Sequence, residues 1–118
     1  MVVSDKTRRI QLAKEFSRAP FGRTPKDGPH SGQVFRDRHL VPALEKHEHV
    51  EVWLDGVAML GTSFLEEAFA GLVRSGSFTE DELRRKLEIK FERQNGELQD
   101  YVRRAWKYVS EEERRQRG

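Results

Sequence analysis

The chain has 118 residues, of which 36% are hydrophobic and 36% charged, with a formal net charge of +2 and no cysteine. This length predicts one domain around one core, and the absence of cysteine excludes disulfides, thiol nucleophiles and thiolate metal sites. No run approaches the ~20 apolar residues of a membrane span. The amino terminus lacks the apolar stretch of a secretory signal, so we expect a cytoplasmic protein.

The charge is unevenly distributed along the chain. The first 32 residues hold seven Lys or Arg against three Asp or Glu, whereas residues 33–96 hold nine against twelve. Nucleic-acid binding usually needs a denser basic face than this. We therefore do not expect DNA or RNA to be the main partner.

The first part of the chain predicts a strand followed by a long loop. In residues 8–13, Ile10 and Leu12 share one side, which is typical of a half-buried strand. Residues 16–32 contain three prolines and three glycines, which exclude a helix or a central strand. A loop this long is often functional, although it also fits a surface loop held by its aromatic side chains. Its candidate anion-binding residues are Arg23, Gly28, His30, Ser31 and Gly32.

The next helix is predicted to begin at Ser31 or Gly32 and to end near Lys46. Pro42 lies within it and lacks an N–H, so we expect a kink near Leu40–Val41. A strand over residues 50–54 follows, with its apolar and polar side chains on opposite faces.

A second long helix is predicted from Ser63 to about Ser75. Its apolar residues form a wide stripe at 3.6-residue spacing, which is typical of a helix buried on more than one side. Ser63 and Glu66 match the capping-box pattern, and Gly76 is well placed to end the helix.

The last third predicts a short helix, an edge strand and a final helix. Thr79 and Glu82 match a second capping box, and residues 87–92 alternate strictly, as in a strand with one wet face. The final helix is predicted from Glu97 to about Val109, and the charged residues 110–118 are expected to fray. The order predicts a single α/β domain with its folded core in residues 8–109, built on a small mixed or parallel sheet with helices mainly on one face.

Several short segments, in this order and spacing, are similar to those of a known family. They include Gly28-Pro-His-Ser-Gly32, Leu40-Val-Pro-Ala-Leu44, Val52-Trp-Leu-Asp-Gly56 and Ser63-Phe-Leu-Glu-Glu-Ala-Phe-Ala-Gly-Leu-Val-Arg74. With these segments the chain, from about Ile10 to Val109, resembles the STAS-like domain family of unknown function. These are small bacterial proteins distantly related to anti-sigma-factor antagonists.

The resemblance implies a site at the start of the second long helix. In anti-sigma-factor antagonists, an Asp-Ser-Ser-Gly segment follows the central strand, and a histidine-kinase-like ATPase phosphorylates its first Ser. The equivalent segment here is Gly61-Thr62-Ser63-Phe64, which makes Thr62 the first candidate phosphoacceptor and Ser63 the second. This chain departs from the pattern at Gly61 and Phe64. The candidate partner surface is Gly61, Thr62, Ser63, Glu66 and Glu67.

Other chemistries are weakly indicated. The two hydroxyls of Thr62 and Ser63 also fit simple helix capping. His47 and His49 lack an evident third metal ligand, and no serine shows the spacing of a nucleophile held beside a base. We therefore expect a non-enzymatic signalling and interaction module without cofactor or metal. The alternative is a protein that binds a small anion or nucleotide between the Gly/Pro-rich loop and the helix N-terminus.

Overall fold

Three parallel strands form one sheet within residues 6–93 and 95–118, which are the residues that the computed structural model describes. The strand order β1-β2-β3 follows the chain: β1 is Thr7–Gln11, β2 is His49–Trp53 and β3 is Leu87–Lys90. Ile10 lies beside Val52, and Val52 beside Ile89. The predicted parallel α/β sheet is therefore confirmed.

Helices connect the three strands, and one more follows the last strand. The first, α1, is Leu12–Glu15, and α4 and α5 are Glu80–Lys86 and Gly96–Arg117. The helix α2 runs through Gly32–Phe35, the π-helical turn Arg36–Leu40 and Val41–Lys46. The helix α3 runs through Thr62–Leu65, the π-helical turn Glu66–Ala70 and Gly71–Arg74. In the described part of the chain, none of these helices combines the length and apolarity that crossing a membrane requires.

The two faces of the sheet differ in polarity. One face is buried under the helices, where Ile10, Val52 and Ile89 meet the apolar stripe of α3. The opposite face carries Arg9, Glu51 and Lys90 at alternate positions. This alternation is typical of a sheet with helices on one side, and it confirms the predicted architecture.

Local signals in the sequence place most helix ends. Near the interruption expected at Leu40–Val41, α2 contains a π-helical turn directly before the segment with Pro42. The proline is not needed for such a turn, because α3 contains one without a proline. Thr79 and Glu82 form the predicted capping box. Gly76 follows α3 with φ of +82°, a conformation that suits glycine.

Three predicted boundaries are wrong by two residues or more. The third strand ends at Lys90 rather than residue 92. The first strand ends at Gln11 rather than residue 13, because Leu12 begins α1. The final helix continues to Arg117 rather than ending near Val109. Glu112 is buried there and receives a hydrogen bond from Arg74 at 3.0 Å. Tertiary ion pairs therefore hold a segment that looked too polar to pack.

Candidate functional site

The long loop between α1 and α2 folds back on the first turn of α2. Phe21 N donates to the carbonyl oxygen of His30 at 3.1 Å, and Gly32 N donates to that of Gly22 at 2.9 Å. The Asp27 carboxylate accepts hydrogen bonds from the amides of Arg23 and Thr24. The loop is thus closed by its own backbone bonds.

This closure occupies the backbone donors at the start of α2. Besides Gly32 N, Gln33 N donates to the Arg23 carbonyl oxygen at 2.9 Å, and the buried Ser31 hydroxyl accepts from Val34 N. An anion needs free N–H groups at a helix start, and here these groups already have acceptors.

The predicted anion-binding side chains are also committed elsewhere. Arg23 forms an ion pair with Glu66 at 2.5 Å. His30 packs edge-on against the ring of Phe16, with the ring centroids 5.1 Å apart. Gly28 adopts φ of 149° within the loop. An anion site built on Arg23, Gly28, His30, Ser31 and Gly32 stays a prediction, and an anion bound there would have to displace these partners.

The start of α3 is open by contrast. Gly61 is its N-cap and provides no side-chain hydrogen bond, while its carbonyl oxygen accepts from Leu65 N at 3.1 Å. Among the described residues, no acceptor lies on the amides of Thr62, Ser63 or Phe64. Three N–H groups at the positive end of a helix dipole are thus left for solvent or a ligand.

The predicted capping box at Ser63 is wrong. Ser63 lies inside α3, one residue beyond its first position, and is half-buried. Glu66 does not reach back to the helix start, because it accepts hydrogen bonds from Arg23 and Arg74. Such charge-assisted bonds are stronger than the bond to a neutral amide that a capping box offers. Thr62, at the first position, has an exposed side chain.

An open cleft of about 800 Å³ lies between the long loop and the start of α3. Its lining includes Phe21, Arg23, Met59, Gly61, Thr62 and Ser63. Phe21 is 54% exposed and Met59 52%, and they are the large hydrophobic side chains that the described residues leave exposed. Apolar area of this kind, rimmed by polar groups, is typical of a binding site.

Below the cleft, a network of ion pairs joins the long loop to the helices α2, α3 and α5. Arg23 and Arg74 bind Glu66, Arg36 binds Glu67 at 2.6 Å, and Arg74 also binds Glu112. The hydrogen bond from Arg74, followed by that from Arg23, holds the pKa of Glu66 below its ordinary value despite partial burial. Glu66 and Glu67 are therefore engaged inside the domain. Within the predicted partner surface, Thr62 is exposed, and Gly61 and Ser63 beside it are half-buried.

One of the two histidines considered above, His49, lies in a cluster of possible metal ligands. His49 lies on the polar face of the sheet, where its Nε2 is 2.9 Å from a Glu88 oxygen and within 4.8 Å of a Glu51 oxygen. These three side chains could hold a metal ion, but Arg9 and Lys90 already neutralise Glu51. The sequence separates Glu88 from His49 by a whole crossover, so the sheet register alone reveals this cluster.

Comparison with known proteins places this architecture in a family. A family model described as a STAS-like domain of unknown function (DUF4325) matches residues 31–96, from the cap of α2 to the start of α5. No curated protein and no solved structure matches the chain. The match spans more than half of the chain and includes both long helices, β2, β3 and the Gly61–Ser63 segment. The chain therefore belongs to the family of STAS-like domains of unknown function.

Proposed function

We propose that this domain is a non-enzymatic interaction module that binds a partner protein through the cleft between the long loop and the start of α3. The observation that carries the proposal is the exposure of Phe21 and Met59 beside the uncapped helix start. Burying one such side chain contributes roughly 1.5–3 kcal/mol. Two neighbouring apolar anchors with polar surroundings are the arrangement from which protein interfaces gain most of their affinity.

The side chains of the cleft support binding rather than catalysis. The hydroxyls of Thr62 and Ser63 have no hydrogen bond to a histidine or carboxylate in the described residues. The carboxylate that lines the cleft with them, Asp27, accepts hydrogen bonds from the amides of Arg23 and Thr24. Glu66 is held by two arginines. An activated nucleophile needs a base within hydrogen-bond reach, so a role in recognition fits this site better.

The partner class follows from the relation to anti-sigma-factor antagonists. We propose a histidine-kinase-like ATPase that docks on this cleft, and phosphorylation of Thr62 as the switch that releases it. A phosphate adds about −1.5 to −2 charges, and the three free amides at the start of α3 would stabilise it. The same charge beside Phe21 and Met59 opposes their burial against a neutral partner surface.

The docking surface is tested by replacing its apolar anchor. We expect Phe21→Ala to weaken binding to a purified histidine-kinase-like ATPase from the same source by about tenfold or more, since truncated interface anchors cost about 2 kcal/mol. Calorimetric titration measures this. Gln99→Ala, an exposed change on α5, is the control and retains wild-type affinity. Unchanged binding in Phe21→Ala, with an unchanged melting temperature, would contradict the docking surface.

The switch is tested separately at Thr62. After incubation with the ATPase and ATP, mass spectrometry is expected to find one phosphate, on Thr62 rather than on the half-buried Ser63. Thr62→Glu is expected to weaken partner binding several-fold, whereas Thr62→Ala binds normally but takes up no phosphate. Thr7→Glu, which adds the same charge at an exposed position of β1, controls for net charge. A phosphate-free Thr62 together with full binding of Thr62→Glu removes the switch and leaves the docking surface standing.

A small anionic ligand or nucleotide is the second candidate for the same cleft. The specific observation in its favour is the set of three free amides at the start of α3, in contrast to the closed start of α2. Such a ligand would raise the melting temperature by mass action. If no nucleotide in a panel changes the melting temperature of the wild type, the result counts against the second candidate and favours the protein partner.

A further inference from the structure

A second, smaller pocket lies on the side of the domain where β1 meets α2. It has a volume of about 210 Å³, and Arg8, Arg38, Lys46, His39 and His47 contribute to its lining together with small apolar residues of α2. None of its lining residues is acidic, whereas the cleft at α3 includes the carboxylate of Asp27 in its lining. We refer to it as the basic pocket.

Two of these cations have no anionic partner in the described part of the protein. Arg38 and Lys46 form no ion pair there, although most arginines of this protein do. The carboxylate that reaches the edge of the pocket is Glu15, which binds Arg8 at 2.6 Å. Burial lowers the pKa of His39, and the charges of Arg8 and Arg38 lower it further against the opposing effect of Glu15. Arg38 and Lys46 therefore bring two positive charges to the pocket that no carboxylate of the described residues pairs with.

Backbone geometry brings these side chains together. Arg38 and His39 lie in the π-helical turn Arg36–Leu40, and Lys46 is at the last position of α2. A π-helical turn changes the angular spacing of side chains along a helix and is frequent at functional sites. The helix dipole favours a cation such as Lys46 at the C-terminal end of α2. It does not account for Arg38, which lies in the π-helical turn before that end.

We propose that the basic pocket binds the phosphate group of a small phosphorylated molecule. Arg38 would supply the forked N–H donors that match phosphate oxygens, and Lys46 would supply a mobile second charge. Arg8, whose side chain already binds Glu15, would add the attraction of a neighbouring positive charge. A phosphate monoester, with about −1.5 to −2 charges, offsets the two unpaired cations. This site is distinct from the cleft at α3 and does not depend on the proposed partner.

The test is a phosphorus-31 NMR titration of the purified protein with inorganic phosphate and with phenyl phosphate, at an ionic strength held constant with potassium chloride. The wild type is expected to bind both. Arg38→Ala is expected to bind at least about tenfold more weakly, the loss expected for one charge-assisted hydrogen bond. Arg85→Ala is the matched control, because Arg85 is an exposed arginine on α4 and does not line the basic pocket. Its affinity is expected to equal that of the wild type.

A second variant moves the affinity in the opposite direction. Glu15→Gln removes the carboxylate that competes for Arg8, so phosphate is expected to bind several-fold more tightly. A separate arm uses phosphatidylcholine vesicles with and without phosphatidylinositol 4-phosphate. Vesicle binding lost in Arg38→Ala, without binding of phenyl phosphate, assigns the phosphate to a lipid headgroup. Equal binding by the wild type, Arg38→Ala and Glu15→Gln, or no binding in either arm, overturns the proposal.

Discussion

Gly32→Ala is expected to destabilise the domain by about 3 kcal/mol, the upper end of the usual cost of overpacking. A methyl group at Gly32 would lie 2.8 Å from the Glu67 Cβ, 2.8 Å from the Phe64 carbonyl oxygen and 2.9 Å from the Ala68 amide nitrogen. Two of these atoms belong to the backbone of α3, so no side-chain rotation relieves the clash and α2 must move away. Thermal unfolding should show a melting temperature lower by on the order of 10 °C.

Gly96→Ala is the matched control for this substitution. Gly96 is the first residue of α5, and a methyl group there meets nothing within 4 Å. Alanine restricts the unfolded chain more than glycine does, so this variant should be more stable than the wild type by about 0.5 kcal/mol. Equal stability of the two variants would show that α2 and α3 do not approach as closely as the structure has them.

Arg74→Met is expected to destabilise the domain by about 2 kcal/mol at neutral pH. Arg74 binds Glu66, Glu67 and Glu112, and the Glu112 side chain is only 4% exposed. Removing one member of a buried ion pair costs about 3–5 kcal/mol, but the Arg74 side chain is 37% exposed, which reduces the loss. Arg104→Met, which breaks the exposed pair with Asp100, is the control and should change stability by less than about 1 kcal/mol.

The same network predicts the response to acid. Arg74 and Arg23 lower the pKa of Glu66 below its ordinary value of 4.5. Burial raises the pKa of Glu112, but hydrogen bonds from Arg115 and Gln116 and the charge of Arg74 more than offset it. Since both carboxyls bind protons less readily when folded, their stabilising effect is complete above the ordinary value of 4.5 and is lost as the pH falls through the lowered pKa values.

Melting temperatures measured as a function of pH test this sign. The wild type should keep a constant contribution from these two groups at neutral pH and lose it progressively in acid. Arg74→Met should lose less stability on acidification, because without Arg74 the pKa values of Glu66 and Glu112 already lie closer to their ordinary value. A parallel decline of both proteins in acid would contradict a coupling of Arg74 to Glu66 and Glu112.

The candidate site was only partly predictable from the sequence. Gly61, Thr62 and the helix that they begin follow from a strand, a turn and an apolar stripe in order. Phe21 reads as an anchor that holds the loop, yet it is exposed on the cleft beside Met59. The loop closes through backbone hydrogen bonds between residues such as Phe21 and His30. These residues are distant in the sequence, so no local pattern predicts which side chains of the closed loop are exposed.

The sequence by itself determined the three strands and the four longer helices, but not α1. Three patterns join residues only two to four positions apart: the alternation in β2 and β3, the stripe of α3, and the cap at Thr79. Such patterns can be recognised in the sequence without the fold. The tertiary structure decided the role of Glu66 and the helical tail. Glu66 binds Arg23, 43 positions away, and Glu112 binds Arg74, 38 positions away. Once folding holds these charges together in partly buried surroundings, hydrogen bonds between two ionised groups outweigh the local capping preference at Ser63 and stabilise the helix beyond its predicted end near Val109.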